Sequence, residues 1–424
     1  MKKIIFFIPM IMFLCFNQIF AQRVLTLDDS KQLALQNNAK SKNSKLEIEA
    51  AHQIRKSALT NYFPSVSAGG LVWSAQNNIM EVETQSGAMG FLKNGTVGFI
   101  NVVQPVFAGG RIINGNKLAS LGEEVSEYKD KLAQYEILLK TEEQYWQIVS
   151  LEEKQKTIDK YNELLNRLLA QVQDAFNSGL VMKNDVLKVK LKLGEVLLNK
   201  SKLENGRKLA AMAFCQYIGV PYDSALILKD ELKIYEIPQS YFVDKDEALK
   251  KRTEYRLLEK SVEAEKLQTS MKLGEYLPQA GIGVSGLYLK FDEANERTLG
   301  MVFGTVSVPI SGWWGGSHEL QERSIKEEIT ENNFKSNSEL LVLQIEKAWQ
   351  DLTDAYKQYL LSDESKAQAE ENFKVNDDSY KNGLTTISDL LEAQALLQQT
   401  QDQLTDSKAN YIVKETTYLQ VTGR

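Results

Sequence analysis

Cysteine and histidine are nearly absent: the 424 residues hold two of each, Cys15 and Cys215, His52 and His318. Spaced so widely, they make no metal-ligating set and no pairing of a nucleophile with a base. The sequence therefore predicts no metal, no cofactor and no enzyme activity. Clusters of Lys and Arg like a nucleic-acid footprint are missing too, and 56 acidic residues stand against 50 basic ones, so nucleic acid is not an expected partner. Long apolar runs are also lacking. Ile4 to Phe16 is shorter than the roughly 18 residues that a membrane-crossing helix needs, and nothing after it reaches that length. If this chain crosses a membrane, strands must carry it.

That one run follows Lys2 and Lys3 and precedes polar Asn17 and Gln18 and small Ala21, the order of a secretory signal. The sequence predicts export with residues 1–21 as a signal peptide and 22–424 as the mature chain. A lipoprotein reading of Cys15 is weaker, because Leu14 stands where lipid attachment calls for a small residue. Once Cys15 is gone only Cys215 is left, so no intrachain disulfide can form even in an oxidising compartment. Loss of Lys2 and Lys3 leaves 48 basic residues against 56 acidic, a formal charge of −8.

Proline is scarce as well, and its seven positions divide the chain. Pro64 and Pro105 bracket one Gly-rich segment, Pro278 and Pro309 a second, and Pro221 and Pro238 the stretch between the halves. The rest of the mature chain is proline-free, as helix interiors require. From Pro105 to Pro221 and from Pro309 onward, good helix formers dominate. Apolar residues recur there at steps of three and four: Val125, Tyr128, Leu132, Tyr135 and Leu139, then Tyr161, Leu165, Leu168 and Val172, and later Leu341, Ile345, Trp349 and Leu352. Leu390, Leu397, Leu404, Tyr411 and Tyr418 keep strict sevens, as do Val189, Val196 and Leu203. These are coiled-coil seams. Helices of about 65 residues are expected over Arg111 to Asn177 and Ser317 to Lys381, each on the order of 100 Å long.

Between the paired prolines the period drops to two. Val66 to Asn77 with Thr96 to Phe107, and Ala280 to Phe291 with Thr298 to Ile310, read as two hairpins of membrane-spanning length. The alternation is imperfect, since Ile100, Val102 and Val106 face opposite to Phe99 and Val103. Four strands cannot close a barrel and open edges are not tolerated in lipid, so closure demands other copies of the chain.

The plan occurs twice. Phe176-Asn-Ser-Gly179-Leu180 leads to Asn184-Asp185-Val186-Leu187, and Tyr380-Lys-Asn-Gly383-Leu384 leads to Ser388-Asp389-Leu390-Leu391, an offset of 204 shared by Pro105 and Pro309. Upstream, Pro64 and Pro278 are 214 apart, as are Ala34 and Ala248, so the first hairpin is ten residues longer, in its loop from Met80 to Asn94. Repeat one is expected over 22–220 with its hairpin at 65–107, repeat two over 239–424 with its hairpin at 279–310, joined by 221–238. Each of Gly179 and Gly383 reads as a left-handed residue ending a long helix. Asn184 and Ser388 read as caps of the next helix, with Asp185 and Asp389 in its first turn, where the dipole favours a carboxylate.

These residues are where the chain resembles the TolC-type outer-membrane efflux protein family. Gln104-Pro105-Val106-Phe107-Ala-Gly-Gly110-Arg111 after the first hairpin, Val308-Pro309-Ile310 after the second, the two turns, and Val24-Leu-Thr-Leu-Asp-Asp-Ser near the mature start carry the resemblance. It implies a mainly α fold with a β-barrel part. Three chains would close a barrel of twelve strands, and the long helices would continue it as a tunnel through the periplasm. The implied function is an outer-membrane channel subunit for efflux or type I secretion, working as a homotrimer in outer-membrane lipid with a periplasmic adaptor and an inner-membrane RND, ABC or similar pump. Carried over by position, Asp389 and Glu392 form an acidic ring at the pore gate, while Asp185 and Tyr380 tie neighbouring helix pairs. The turns at Gly179-Leu180 and Gly383-Leu384 would dock the adaptor. The chain departs from the pattern twice: the second acid is Glu392 rather than an aspartate, and Thr385 stands where an arginine joins the gate's hydrogen bonds.

Other readings account for less. A periplasmic coiled-coil scaffold or adhesin without channel activity would share the signal and the heptads but leave two strand pairs without a purpose. A passive porin needs more strands per chain. Gly281-Ile-Gly283-Val-Ser-Gly286 spells a dinucleotide fingerprint but sits inside a strand and leads to another strand. Trp313 and Trp314 suit either a membrane-interface anchor or packing at the strand-to-helix junction.

Overall fold

A computed structural model describes residues 24–77, 79–85, 87–291 and 296–424; the expected signal peptide lies outside them. In chain order the elements are β1 (Val24–Leu25), α1 (Leu27–Asn37), α2 (Ala39–Leu59), β2 (Ser65–Ser74), β3 (Met80–Thr84), β4 (Gly87–Phe91), β5 (Asn94–Ala108), α3 (Arg111–Asn177) and α4 (Lys183–Tyr217). Then come β6 (Ile227–Leu228), α5 (Lys245–Lys251), α6 (Thr253–Glu275), β7 (Gln279–Phe291), β8 (Arg297–Ser307), α7 (Trp313–Lys381) and α8 (Ile387–Val421). The chain divides into two compact units, one holding residues up to Asn37, Lys140–Ile234 and Tyr359–Ala409, the other Asn38–Leu139, Tyr235–Gln358 and Asn410–Arg424.

The second unit carries an antiparallel sheet in the order β2-β5-β7-β8, so the two expected hairpins join side by side through β5 and β7. The β5–β7 ladder shifts register between Pro105 and Phe107. Proline has no N–H for the ladder, and Val106 bulges out beside it. The register also explains the imperfect alternation. One face carries a cross-strand row of Val66, Val102, Val284 and Val302, while the opposite face carries Ser67, Asn101 and Ser285, with Ser285 Oγ 2.5 Å from Asn101 Oδ1. On that face, which also carries Leu71, Val97, Leu287, Leu289 and Leu299, the large aromatics lie flat across glycines of the next strand: a Cβ on Gly69 would come within 2.6 Å of Phe99, on Gly95 within 2.2 Å of Trp73, and on Gly283 within 2.5 Å of Phe303. Gly283 of the apparent dinucleotide fingerprint thus makes room for a ring. At the junction after β8, Trp313 Nε1 donates to the Tyr276 carbonyl at 2.9 Å, a packing role, while Trp314 is 82% exposed. The loop expected over Met80 to Asn94 contains the small hairpin β3–β4.

Helix α7 begins at Trp313, four residues before the expected start, after a single turn at Ile310–Gly312. In the second unit the expected upper seam of α3 is only half-buried in one chain; Leu121, Ala133 and Ile137 are the buried apolar residues instead. Leu341, Ile345 and Leu352 are buried as expected, and Trp349 packs edge-to-face with Phe242 and at a tilt against Tyr418. Residues 221–238 are tied in on both sides: β6 pairs in parallel with β1 in the first unit, and Tyr411 Oη donates to the Glu236 carbonyl at 2.7 Å in the second.

The 204-residue offset recurs in backbone geometry at a pair of positions that sequence reading passed over. Gly219 and Gly423 both have left-handed φ, +70° and +74°, and both close a helix with the same two hydrogen bonds. A Cβ on Gly219 would meet Asn37, and one on Gly423 would meet Lys251, and Asn37 and Lys251 are 214 apart, as upstream landmarks are.

Candidate functional site: the two helix turns

Both turns belong to the first unit and rest on one apolar core. Ile158, Tyr161, Leu165, Leu168 and Val172 of α3 pack with Val186, Val189 and Val196 of α4 and with Ile387, Leu390 and Leu391 of α8. The heptad positions singled out in the sequence supply most of this cluster, which is why the turns are held at defined places.

Each long helix ends in the same motif. Gly179 (φ +76°) donates from its N–H to Phe176 O at 2.9 Å, and Leu180 N–H donates to Ala175 O at 2.9 Å; Gly383 (φ +72°) and Leu384 repeat these bonds to Tyr380 O and Ser379 O at 3.0 and 2.8 Å. This is the Schellman pattern, in which a left-handed residue satisfies the last carbonyls of a helix. Its usual companion is an apolar contact by the residue after the glycine. Here Leu180 and Leu384 are 78% and 80% exposed. Each turn therefore presents a leucine to its surroundings.

The capping residues differ from expectation. Helix α4 starts at Lys183 with Met182 as its cap and no side-chain cap bond, so Asn184 lies inside the first turn. Helix α8 starts at Ile387, and the hydroxyl of Thr386, not of Ser388, does the capping. Asp389 N–H donates to Thr386 Oγ1 at 3.3 Å, while Asp389 Oδ2 accepts from Thr386 N–H at 3.0 Å, from Thr386 Oγ1 at 2.6 Å and from Thr385 Oγ1 at 2.9 Å. This reciprocal arrangement is a capping box with Asp in place of Glu. The signal Thr386-x-x-Asp389 was present in the sequence. The Thr386 hydroxyl first, then the Thr385 hydroxyl and the Thr386 N–H, hold the Asp389 carboxyl below its usual range, with Lys188 adding attraction. Thr385, where the family pattern has arginine, is thus engaged with the carboxylate.

Lys188 holds in the first repeat the position that Glu392 holds in the second, 204 residues apart. Its Nζ donates to Ser388 Oγ at 2.8 Å and stands 3.9 Å from Asp185 Oδ1, linking α4 to the start of α8. Tyr380 packs on the same core, and its phenol is pushed up by burial and then by the charge of Asp185. The structure therefore gathers Asp185, Lys188, Tyr380, Ser388 and Asp389. Glu392 lies one turn further along α8 and is exposed, as is Asp389. Among the described residues no group of His, Cys, Asp and Glu is arranged to hold a metal. His52 stands apart in the second unit, 2.8 Å from Glu123, which also binds Arg55.

Duplicated helix pairs, a four-stranded sheet with two open edges and capped helical turns define the fold of outer-membrane channel proteins. The structure is similar over 94% of this chain to VceC of Vibrio cholerae (96% of that chain, TM-score 0.77, 14% identity), CmeC of Campylobacter jejuni (85%, 0.80, 15%) and the open-state MtrE channel of Neisseria gonorrhoeae (88%, 0.73, 13%). No curated protein sequence matches the chain. Residues 279–424, from β7 to the last helix, match the family of outer membrane efflux proteins. The resemblance drawn from the sequence is borne out by that match and by the fold.

Proposed function

We propose that this chain is one subunit of an outer-membrane channel, assembled as a homotrimer and fed through a periplasmic adaptor by an inner-membrane pump. The observation that carries the reading is the sheet. Strands β2 and β8 leave ten- and eleven-residue edges unpaired on a sheet rich in exposed apolar side chains, and no helix of the described residues is long and apolar enough to cross a membrane. In lipid such edges must be closed by another copy. Four strands from each of three chains close a barrel of twelve strands. The recurrence at offsets of 204 and 214 supports an origin by duplication, with repeats at 22–220 and 239–424.

Asp389 and Glu392 are exposed near one helix start and would form an acidic ring about the trimer axis, attracting cations. Asp185 lies beside Lys188 at the start of α4 and its charge reaches Tyr380 near the end of α7, so both are suited to tying the pairs together. Leu180 and Leu384, presented at the turns by Gly179 and Gly383, suit an apolar docking tip of the adaptor. Single-channel recording tests the reading: cation-selective conductance blocked by multivalent cations from the periplasmic side is expected, and block unchanged by Asp389→Ala would remove Asp389 from the throat.

A further inference from the structure

Within the first unit, α3, α7 and α8 line a cavity of about 340 Å³ whose walls include Tyr161, Leu164, Phe373, Gln394, Leu397 and Gln398. That is the size of a small-molecule pocket. Two of these wall residues are unusual. Tyr161 and Gln394 are 7% and 4% exposed, yet Tyr161 Oη and Gln394 Oε1 have no hydrogen-bond partner. Buried polar atoms in folded chains are nearly always paired, so two orphans in the wall of one cavity call for an explanation. Burial, with the charge of Glu195 added, holds the Tyr161 phenol protonated, so it keeps its donor at neutral pH. Leu164, Phe373 and Leu397 supply apolar surface. Charges at the mouth are compensated or solvated: Lys156 pairs with Glu153 at 2.7 Å, Glu370 with Lys366 at 2.5 Å, and Lys160 is exposed. A net charge deep in the pocket would have no counterpart.

We propose that this cavity binds a small uncharged aromatic molecule carrying a hydrogen-bond donor beside an acceptor. The donor pairs with Gln394 Oε1, the acceptor with Tyr161 Oη, and the ring lies against Phe373 and Leu397. Both orphaned atoms are then satisfied by one ligand, while the apolar walls take its ring. The site is built within a single chain and does not rest on the channel reading or on the gate.

Fluorine NMR of 5-fluorosalicylamide with the purified full chain in lipid nanodiscs tests the proposal. Saturable line broadening, displaced by excess unlabelled salicylamide, is expected. Tyr161→Phe and Gln394→Leu should each weaken binding about tenfold, the usual effect of losing one buried hydrogen bond. Neither should lower the melting temperature of the free protein, because each removes an unpartnered polar atom. If Gln394→Leu does lower it, Tyr161→Phe decides, since its ring still fills the wall. Absence of saturable binding, or affinity within twofold of the parent in Tyr161→Phe, would overturn the proposal.

Discussion

Replacing Gly383 by alanine isolates what the left-handed residue contributes to the second helix turn. A Cβ at Gly383 meets nothing within 4 Å, so the substitution adds no collision. What it adds is the backbone cost of holding an L side chain at φ +72°, about 1–2 kcal/mol. Divided by RT, that is roughly a 5- to 30-fold increase in the population of the opened turn. Hydrogen exchange reads it directly at the Leu384 amide, whose bond to Ser379 O at 2.8 Å closes the turn. Leu384 should exchange faster by that factor in Gly383→Ala, and Gly383→Asn should cost less because asparagine tolerates the left-handed region. Gly179→Ala should do the same at Leu180, since φ is +76° and nothing lies within 4 Å there either. Gly219→Ala should cost more, as its Cβ would come 2.4 Å from the Asn37 Cβ. Unchanged Leu384 exchange in Gly383→Ala, or an asparagine variant as open as the alanine one, would refute the reasoning.

The capping box gives a pH dependence: because the Asp389 pKa is lowered on folding, protection of the first turn of α8 should be complete above about pH 4 and be lost as pH falls through the lowered pKa. Thr386→Val should return that pKa toward the ordinary aspartate value, read by carbon-detected NMR titration. Asp402 has the opposite sign. Burial raises its pKa to about 6, so the folded chain takes up a proton there, stability should rise as pH falls from about 6 toward 4, and Asp402→Asn should flatten that slope in thermal melts. In the sheet, Gly283→Val should drive a side chain into Phe303, abolishing the heat-dependent mobility shift of folded barrels on gels, and adding Phe303→Ala should restore it in part.

Much of the fold is legible in the sequence because two simple signals coincide. Prolines mark where helices cannot continue, and a change of period from three and four to two marks the strands between them. Those signals place β5 and β7 within two residues of their observed bounds. They fail at Trp313–Gly316, where two tryptophans and two glycines look like a junction but already form the first turn of α7. They also blur the faces of the sheet, because Phe99, Trp73 and Phe303 share a face with Ser67, Asn101 and Ser285 and lie over glycines, a pairing between strands that no single strand reveals. At the turns, the glycines were readable from their spacing. The caps were misplaced by two residues because Asn184 and Ser388 look like better caps than Met182 and Thr386 in isolation. Lys188 could not be chosen from sequence, since its role depends on α4 meeting the start of α8.

The central claim, that the open edges β2 and β8 are closed by other copies of the chain, is tested most directly by disulfide trapping. In a Cys215→Ser background, one cysteine is scanned along β2 and one along β8 of the same chain, and outer-membrane fractions are oxidised without reductant. Closure of a twelve-stranded barrel predicts linked species of two and three chains and none larger, in a preparation that conducts ions across planar bilayers. Only unlinked single chains, or a ladder extending past three, would contradict it.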